Sequence, residues 1–176
     1  MSIYTRYFSA GEVAQASGIT PSTLQNWIKR DVIIGHKIEG GGSQGKHRRF
    51  SWHNVMEIAT AAALVKAGVS DLGVAFYAAQ SFAHVAHAAP SGKLQRLPAL
   101  PYDISYGRTL LFVAGKHSQI TTYKPGSDPF VRVAYGGRDR EAFIVVDLLA
   151  VFDRVCVSLG LNPQEVMSQA AARGGA

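Results

Sequence analysis

One stretch decides the fold of the first half of this chain: FSAGEVAQASGITPSTLQNWIKR at residues 8–30, followed by the basic run GKHRRF at residues 45–50. Ser9 and Glu12 have the spacing of a capping box, in which each side chain binds the other residue's backbone N–H. This spacing predicts that a first helix begins at Ser9. Gly18 is suited to end that helix, because glycine adopts the left-handed conformation that commonly follows a helix.

A second helix is predicted directly after the turn. Thr20 is its expected N-cap, and Pro21 occupies the first helical position, where its missing N–H does no harm. Leu24, Trp27 and Ile28 share the i, i+3, i+4 spacing of one helical face, which we expect to be buried. The other faces carry polar, short or basic residues, namely Ser22, Thr23, Gln25, Asn26, Lys29 and Arg30. Two capped helices joined by a tight turn predict a helix-turn-helix.

A basic hairpin is predicted after the second helix, and residues 32–50 are called the predicted wing here. Residues 32–38 are expected to be extended, residues 40–45 form a glycine-rich loop, and residues 47–50 return as a strand. Its basic side chains could be an ordinary solvated charge run, but their place beside the loop favours phosphate contact. These side chains are Lys37, Lys46, His47, Arg48 and Arg49.

The charge distribution also favours an anionic partner. The net charge is +6, and residues 1–67 hold eight Lys/Arg and four Asp/Glu, so they contribute +4 of it. The single cysteine, Cys156, permits no intrachain disulfide. The N-terminus lacks the apolar run of a signal peptide, and the apolar residues 58–65 are too few to span a bilayer. We therefore expect a cytoplasmic, nucleoid-associated protein without a membrane segment.

Two further helices are predicted in the first half, and a different pattern follows them. Ser51 is expected to cap the third helix, with Val55, Ile58, Ala62 and Val65 on its buried face, and the fourth runs from Ser70 to about His87. Prolines then make residues 89–101 a stiff linker. Short β-branched and aromatic runs follow at residues 109–114, 119–123, 130–135 and 142–146. Asp147 and Asn162 are expected caps of two final helices.

The fold class is therefore a mainly α N-terminal winged helix-turn-helix domain, residues 1–88, plus a small α+β C-terminal domain, residues 102–176. The C-terminal domain consists of antiparallel strands followed by helices. We expect it to supply dimerisation, effector binding or contact with a partner.

The helix-turn-helix and the predicted wing resemble the MerR family of regulators over roughly residues 6–85. The matching pieces are FSAGEVA (8–14), GIT (18–20), TL (23–24), HRRF (47–50) and LVKAGVS (64–70). The resemblance implies a dimer with the second helix in the major groove and a wing arginine on the DNA backbone. Gln25 and Asn26 stand where the family usually has Arg-Tyr, so two amides able to read adenine edges replace a cation. No long coiled-coil pattern follows residue 88.

Other candidate sites are weaker in the sequence. His84 and His87 are three residues apart on a predicted helix, but no third or fourth metal ligand accompanies them, which favours a structural role. Cys156 lies among apolar residues, as a buried and inert thiol does. No catalytic, metal-binding or cofactor motif is recognisable, so an enzyme is not predicted.

The leading hypothesis is a sequence-specific, DNA-binding transcriptional regulator of MerR-like type that binds double-stranded DNA as a homodimer. RNA polymerase or another protein is a further expected partner, and the sequence does not indicate an effector. The alternatives are an architectural, excisionase-like or small terminase-like DNA-binding protein that recruits a larger enzyme, and a protein-interaction module. The predicted DNA-binding residues are Thr20, Ser22, Thr23, Gln25, Asn26, Lys29, Arg30, Lys37, Lys46, His47, Arg48 and Arg49.

Overall fold

The computed structural model describes residues 2–34, 48–88, 95–127 and 142–174. Within these ranges the α-helices are α1 (Ala10–Ser17), α2 (Pro21–Lys29), α3 (Trp52–Lys66), α4 (Leu72–Ala83), α5 (Leu148–Ser158) and α6 (Pro163–Gly174). The strands are β1 (Tyr7–Ser9), β2 (Arg49–Ser51), β3 (His87–Ala88), β4 (Gln95–Arg96), β5 (Arg108–Ala114), β6 (His117–Tyr123) and β7 (Ile144–Asp147). Two short 3-10 helices lie at Ile3–Thr5 and Ile104–Tyr106.

The helix-turn-helix forms as its capping residues predict. The Ser9 backbone N–H donates to Glu12 Oε2 at 2.7 Å, and the Ser9 hydroxyl accepts from the Glu12 N–H, which completes the capping box. Gly18 has a φ of 68°, the left-handed conformation expected of it. Thr20 accepts a hydrogen bond from the backbone N–H of Thr23 and caps α2. The turn between the two helices is therefore fixed from both sides by local bonds.

The return strand of the predicted wing is present, but its partner differs from the expected one. β2 pairs antiparallel with β1, and Phe8 lies opposite Phe50 in the register. The predicted partner was the extended segment at residues 32–38, of which residues 32–34 form no strand. Residues 35–47, including the glycine loop, lie outside the described residues. The chain ahead of α1 therefore joins the chain ahead of α3, and both phenylalanines are buried between them.

The third helix is buried on more sides than one amphipathic face allows. Ser51 caps α3, as predicted, in a capping box with Asn54. Val55 and Ile58 are fully buried, but Val65, predicted to be buried with them, is 37% exposed. Helices α1, α4 and α5 all pack on α3, so residues around much of its circumference are covered. α3 is thus the central helix of the fold.

The fourth helix is shorter than predicted. Its N-cap is Asp71 and not Ser70, because the Asp71 carboxylate accepts bonds from the N–H groups of Gly73 and Val74. It ends at Ala83 and not near His87. His87 belongs instead to β3, which pairs antiparallel with β4. The strand pairing begins where the sequence pattern predicted another turn of helix.

The second half contains antiparallel strands followed by helices, as the predicted α+β class requires. A three-stranded sheet has the order β6-β5-β7, with both pairs antiparallel. The predicted strands at residues 109–114, 119–123 and 142–146 correspond to β5, β6 and β7, whereas residues 130–135 lie outside the described ranges. Asp147 caps α5, and the Asn162 side chain accepts bonds at the start of α6, as expected.

The two halves share buried residues around Trp52. The rings of Trp52 and Phe152 meet edge to face with centroids 6.1 Å apart, and Trp52 Nε1 donates to the Ala99 carbonyl at 3.2 Å. Ala99 and Leu100 are buried, so this part of the predicted linker packs against α3 and is not a free connection. The division of the chain into two domains stays a prediction.

Candidate nucleic-acid interface

The outer face of α2 is exposed and polar, as a surface that meets DNA must be. Leu24 and Trp27 are buried and hold the opposite face against the core. Of the predicted contact residues on this helix and its cap, Thr23 is partly buried, and those exposed are Thr20, Ser22, Gln25, Asn26, Lys29 and Arg30. Two neutral amides and two cations are thus presented along one helix. This combination suits contact with base edges and phosphates together.

The hydroxyl groups at the N-terminus of α2 bind one another. Thr20 Oγ1 lies 2.8 Å from the hydroxyl oxygens of both Ser22 and Thr23, and it also accepts from the Thr23 backbone N–H at 3.1 Å. Thr20 therefore acts first as a helix cap. Its predicted contact with DNA must share the same oxygen.

Arg48 connects the predicted wing to α2. Its Nη1 donates a hydrogen bond to Gln25 Oε1 at 3.3 Å, so the end of the wing lies beside the outer face of the helix. Arg49 follows on β2 and is exposed. The structure thereby brings Arg48 to Gln25 on the exposed face of α2, and Arg49 lies next to Arg48 along the chain. Lys37, Lys46 and His47 lie outside the described residues, and their placement stays a prediction.

Arg6 is a cation at this surface that the sequence analysis missed. Arg6, Arg48 and Arg49 line one shallow cleft together with residues 5 and 7–9. The Arg6 guanidinium lies 4.9 Å from the centroid of the Phe8 ring, and its Nη2 is 3.8 Å from Glu12 Oε1. The signal for Arg6 is its position directly before β1. This position can be recognised as part of the surface only once β1 is known to pair with β2.

Glu12 is the acidic group closest to these arginines in the described contacts. Hydrogen bonds from the Ser9 backbone and hydroxyl lower the pKa of Glu12, and the charge of Arg6 lowers it further. Its negative charge is therefore held in the capping box, at the N-terminus of α1, where it also favours the helix dipole. Beyond α2, Asp31 has a φ of 53°, a left-handed conformation that turns the chain away from the helix.

Residues 8–74 match the family model described as the MerR HTH family regulatory protein. These residues form a MerR-family helix-turn-helix domain. The matched region starts inside β1, contains α1, α2, β2 and α3, and ends in the first turn of α4. This match indicates a DNA-binding transcription regulator and confirms the resemblance found in the sequence. No curated protein matches the chain.

His84 and His87, the two histidines considered as metal ligands, contact different residues. His84 Nε2 lies 2.9 Å from Glu57 Oε2, whereas the His87 ring meets Tyr102 edge to face at 5.8 Å. Among the described residues, no cluster of three or more His, Cys, Asp or Glu side chains is arranged to hold a metal ion.

The remaining sequence predictions concern Cys156 and membrane segments. Cys156 is buried, as predicted, and burial raises the pKa of its thiol to about 12. Within the described ranges, no helix is long and apolar enough to cross a membrane.

Proposed function

We propose that the chain is a sequence-specific transcriptional regulator that places α2 in the major groove and the predicted wing on the phosphate backbone. The observation that carries this proposal is the position of Arg48, which donates to Gln25 at 3.3 Å and sets a basic strand beside the exposed face of α2. The MerR-family match supports the DNA-binding part of the proposal. Groove insertion is supported by a helix whose polar face is exposed while Leu24 and Trp27 anchor its other side.

Base reading is proposed for the amides of α2. Gln25 and Asn26 are exposed, and an amide side chain can accept from adenine N6 while donating to N7. Lys29 lies on the exposed surface one turn after Gln25 and can reach a guanine edge or a phosphate. Thr23 contributes through its methyl group and hydroxyl. We therefore assign sequence preference to these four residues.

Binding to the phosphate backbone of DNA is proposed for the basic side chains around the cleft. Arg49 is exposed on β2, and Arg48 is partly buried next to it. Arg6, directly before β1, is the third arginine of this cluster. Its charge is partly balanced by the Glu12 carboxylate, with which it pairs. Lys37, Lys46 and His47 belong to the same proposal through the sequence. Contacts with phosphates fix register without reading bases, so they should strengthen binding to all sequences alike.

The proposal is tested by footprinting the tagged protein across the genome and measuring how the purified protein binds the recovered sites. Asn26→Ala should cost about 1–3 kcal/mol at one base position and relax the preference there. Arg49→Ala should weaken binding to every duplex and reduce the slope of log K against log salt by about 1. Wild-type behaviour by both variants, or no salt-dependent affinity for DNA in the wild type, would refute the proposal.

The form of the footprint separates regulation from an architectural role. Sharp sites with inverted repeats upstream of genes are expected for a homodimeric regulator, and RNA polymerase is then the partner to test. Extended tandem protection would instead favour an excisionase-like or small terminase-like protein that recruits a larger enzyme. The observation favouring that second candidate is that α4 ends at Ala83 and leads into β3, not into a long dimerisation helix.

The rest of the proposal concerns what the chain does besides binding DNA. We propose that it acts by binding and not by catalysis, in the cytoplasm and associated with the nucleoid. We assign dimerisation, effector binding or partner contact to residues 102–176. Sedimentation of the purified protein with and without a recovered site tests the homodimer.

A further inference from the structure

The buried carboxylate of Glu57 contacts the backbone at Ile34, a few residues after α2 ends. Among the residues that the structure describes, Glu57 is the one acidic side chain in the buried class, with an exposure of 0%. It lies on α3, whose neighbouring residues Met56 and Ile58 are also fully buried. A carboxylate in such a place is costly unless several donors surround it. The identity of those donors therefore indicates what the residue does.

The donors to Glu57 come from two separate parts of the chain. The backbone N–H of Ile34 donates to Oε1 at 3.0 Å, and Gln80 Nε2 donates to the same oxygen at 3.1 Å. His84 Nε2 lies 2.9 Å from Oε2. Gln80 Nε2 also lies 3.4 Å from the carbonyl oxygen of Val32. Glu57 thus joins α3 and α4 to the backbone that follows α2.

The arrangement holds the first residues of the predicted wing. Ile33 is 7% exposed and packs into the core, while the Ile34 side chain is 52% exposed. The chain therefore leaves the core at Ile34, where its backbone is bonded to Glu57. In the sequence, Lys37 comes three residues later and the basic residues 46–49 follow.

An ordinary satisfied core residue is the competing explanation for Glu57. A leucine of similar volume would fill the space on α3 without the cost of burying a charge. It would, however, leave the Ile34 N–H without its acceptor, while Gln80 Nε2 would keep its longer bond to the Val32 carbonyl. What Glu57 adds over leucine is a fixed position for the backbone at Ile34.

We propose that Glu57 is a positioning residue for DNA binding: it fixes the backbone at Ile34, so that the chain carrying the next basic residues leaves the core from one defined point. Gln80 supports the same point from α4 through its bonds to Glu57 and Val32. The inference rests on the proposed function, because the basic residues concerned are those assigned to the phosphate backbone. It adds a buried residue that touches no DNA to the determinants of DNA affinity.

The test compares Glu57→Leu with Glu57→Gln, because glutamine keeps an acceptor oxygen for the Ile34 N–H. One readout is hydrogen exchange at the Ile34 amide in the free protein. The other is the salt dependence of binding to a recovered site and to a random duplex. Val166→Ala in α6 is the control, since it opens a cavity in the same core without removing a bond to Ile34. Gln80→Ala is a milder second variant in case Glu57→Leu does not fold.

Glu57→Leu should lose the protection of the Ile34 amide and bind both duplexes on the order of tenfold more weakly. Its salt slope should fall by about 2, the change expected when two phosphate contacts are lost. Glu57→Gln and Val166→Ala should keep the wild-type slope, and Gln80→Ala should fall between. An unchanged slope and unchanged Ile34 protection in Glu57→Leu would overturn the assignment.

A further outcome separates this inference from the proposed function. If the wild type binds no DNA while Ile34 protection still depends on Glu57, the regulator proposal fails and the anchoring of Ile34 by Glu57 stands. If DNA binding is strong and Glu57→Leu weakens it no more than Val166→Ala does, the positioning role is refuted and the regulator proposal stands.

Discussion

Replacement of Arg96 by methionine is expected to destabilise the protein far more than replacement of an exposed arginine. The Arg96 side chain is 3% exposed, and its guanidinium lies 5.1 Å from the centroid of the Phe82 ring. It donates hydrogen bonds to the backbone carbonyl oxygens of Ser81, Phe82, Val85, Leu97 and Leu100. Two of these carbonyls belong to the last turn of α4, where a helix leaves its carbonyl oxygens without partners. Arg96 therefore closes the end of α4.

The magnitude follows from the carbonyls that methionine would leave unbonded. Arg96 bonds the Val85 carbonyl at 2.6 Å and the Ser81 carbonyl at 3.1 Å, and methionine has no donor to replace these bonds. The Phe82 carbonyl keeps a second bond, from the Ala99 N–H at 3.0 Å. Each buried carbonyl without a partner costs about 1–3 kcal/mol, and relief from burying the guanidinium offsets part of that sum. We expect a net loss of about 2–4 kcal/mol. For a chain of this size the midpoint of thermal unfolding should fall by roughly 4–16 °C.

Urea and thermal unfolding followed by circular dichroism measure this loss. Arg108→Met is the matched control, because the Arg108 side chain is 54% exposed and pairs with Asp147 at the surface. That exposed pair should contribute less than about 1 kcal/mol. Arg96→Lys, which keeps the charge but not the fork of donors, should fall between the two. If Arg96→Met loses no more free energy of unfolding than Arg108→Met, the carbonyl cluster does not stabilise α4 as argued.

Three further predictions concern other parts of the fold. Cys156 should resist alkylation at pH 8 in the native protein and react once unfolded, because burial raises its pKa to about 12; rapid native labelling would contradict this. Gly107→Ala should reduce the free energy of unfolding more than Gly115→Ala does, since a Cβ at Gly107 overlaps a β6 carbonyl while Gly115 has open space; equal urea midpoints would contradict this. The pKa of Glu12 is lowered from 4.5 by the Ser9 N–H, so its stabilisation is present above that value and lost as pH falls towards the lowered one. The stability advantage of the wild type over Glu12→Gln should shrink in that window, and a difference constant from pH 7 to pH 2 would contradict this.

Elements whose signals are local could be predicted from the sequence. The capping box at Ser9, the left-handed Gly18 and the Thr20 cap depend on residues within one turn of one another. Asp147 caps α5 for the same reason. Such short-range bonds need no distant partner, so the sequence alone suffices to place these helix ends. The exposed amides of α2 could be predicted likewise, because Leu24 and Trp27 fix which face is buried.

Elements that depend on distant partners could not be predicted. β1 is a three-residue strand that pairs with β2 some forty residues later, and no turn signal joins them. The role of Arg6 at the interface was missed for this reason. α3 showed one apolar face in sequence, but alanines on its other sides let several helices approach. Glu57 was not noticed, since a buried acid is recognisable only once Ile34 and His84 are seen beside it.

The second half of the chain supports the helix-turn-helix directly. Arg154 on α5 donates to the Ala16 carbonyl oxygen near the end of α1, where the helix has no donor of its own for that oxygen. Phe152 on the same helix meets Trp52 on α3. The position of α2 follows from α1 through the turn at Gly18, so α5 forms part of the support for the exposed face of α2. A change in the second half that shifts α5 would therefore act on the same backbone that carries the exposed amides.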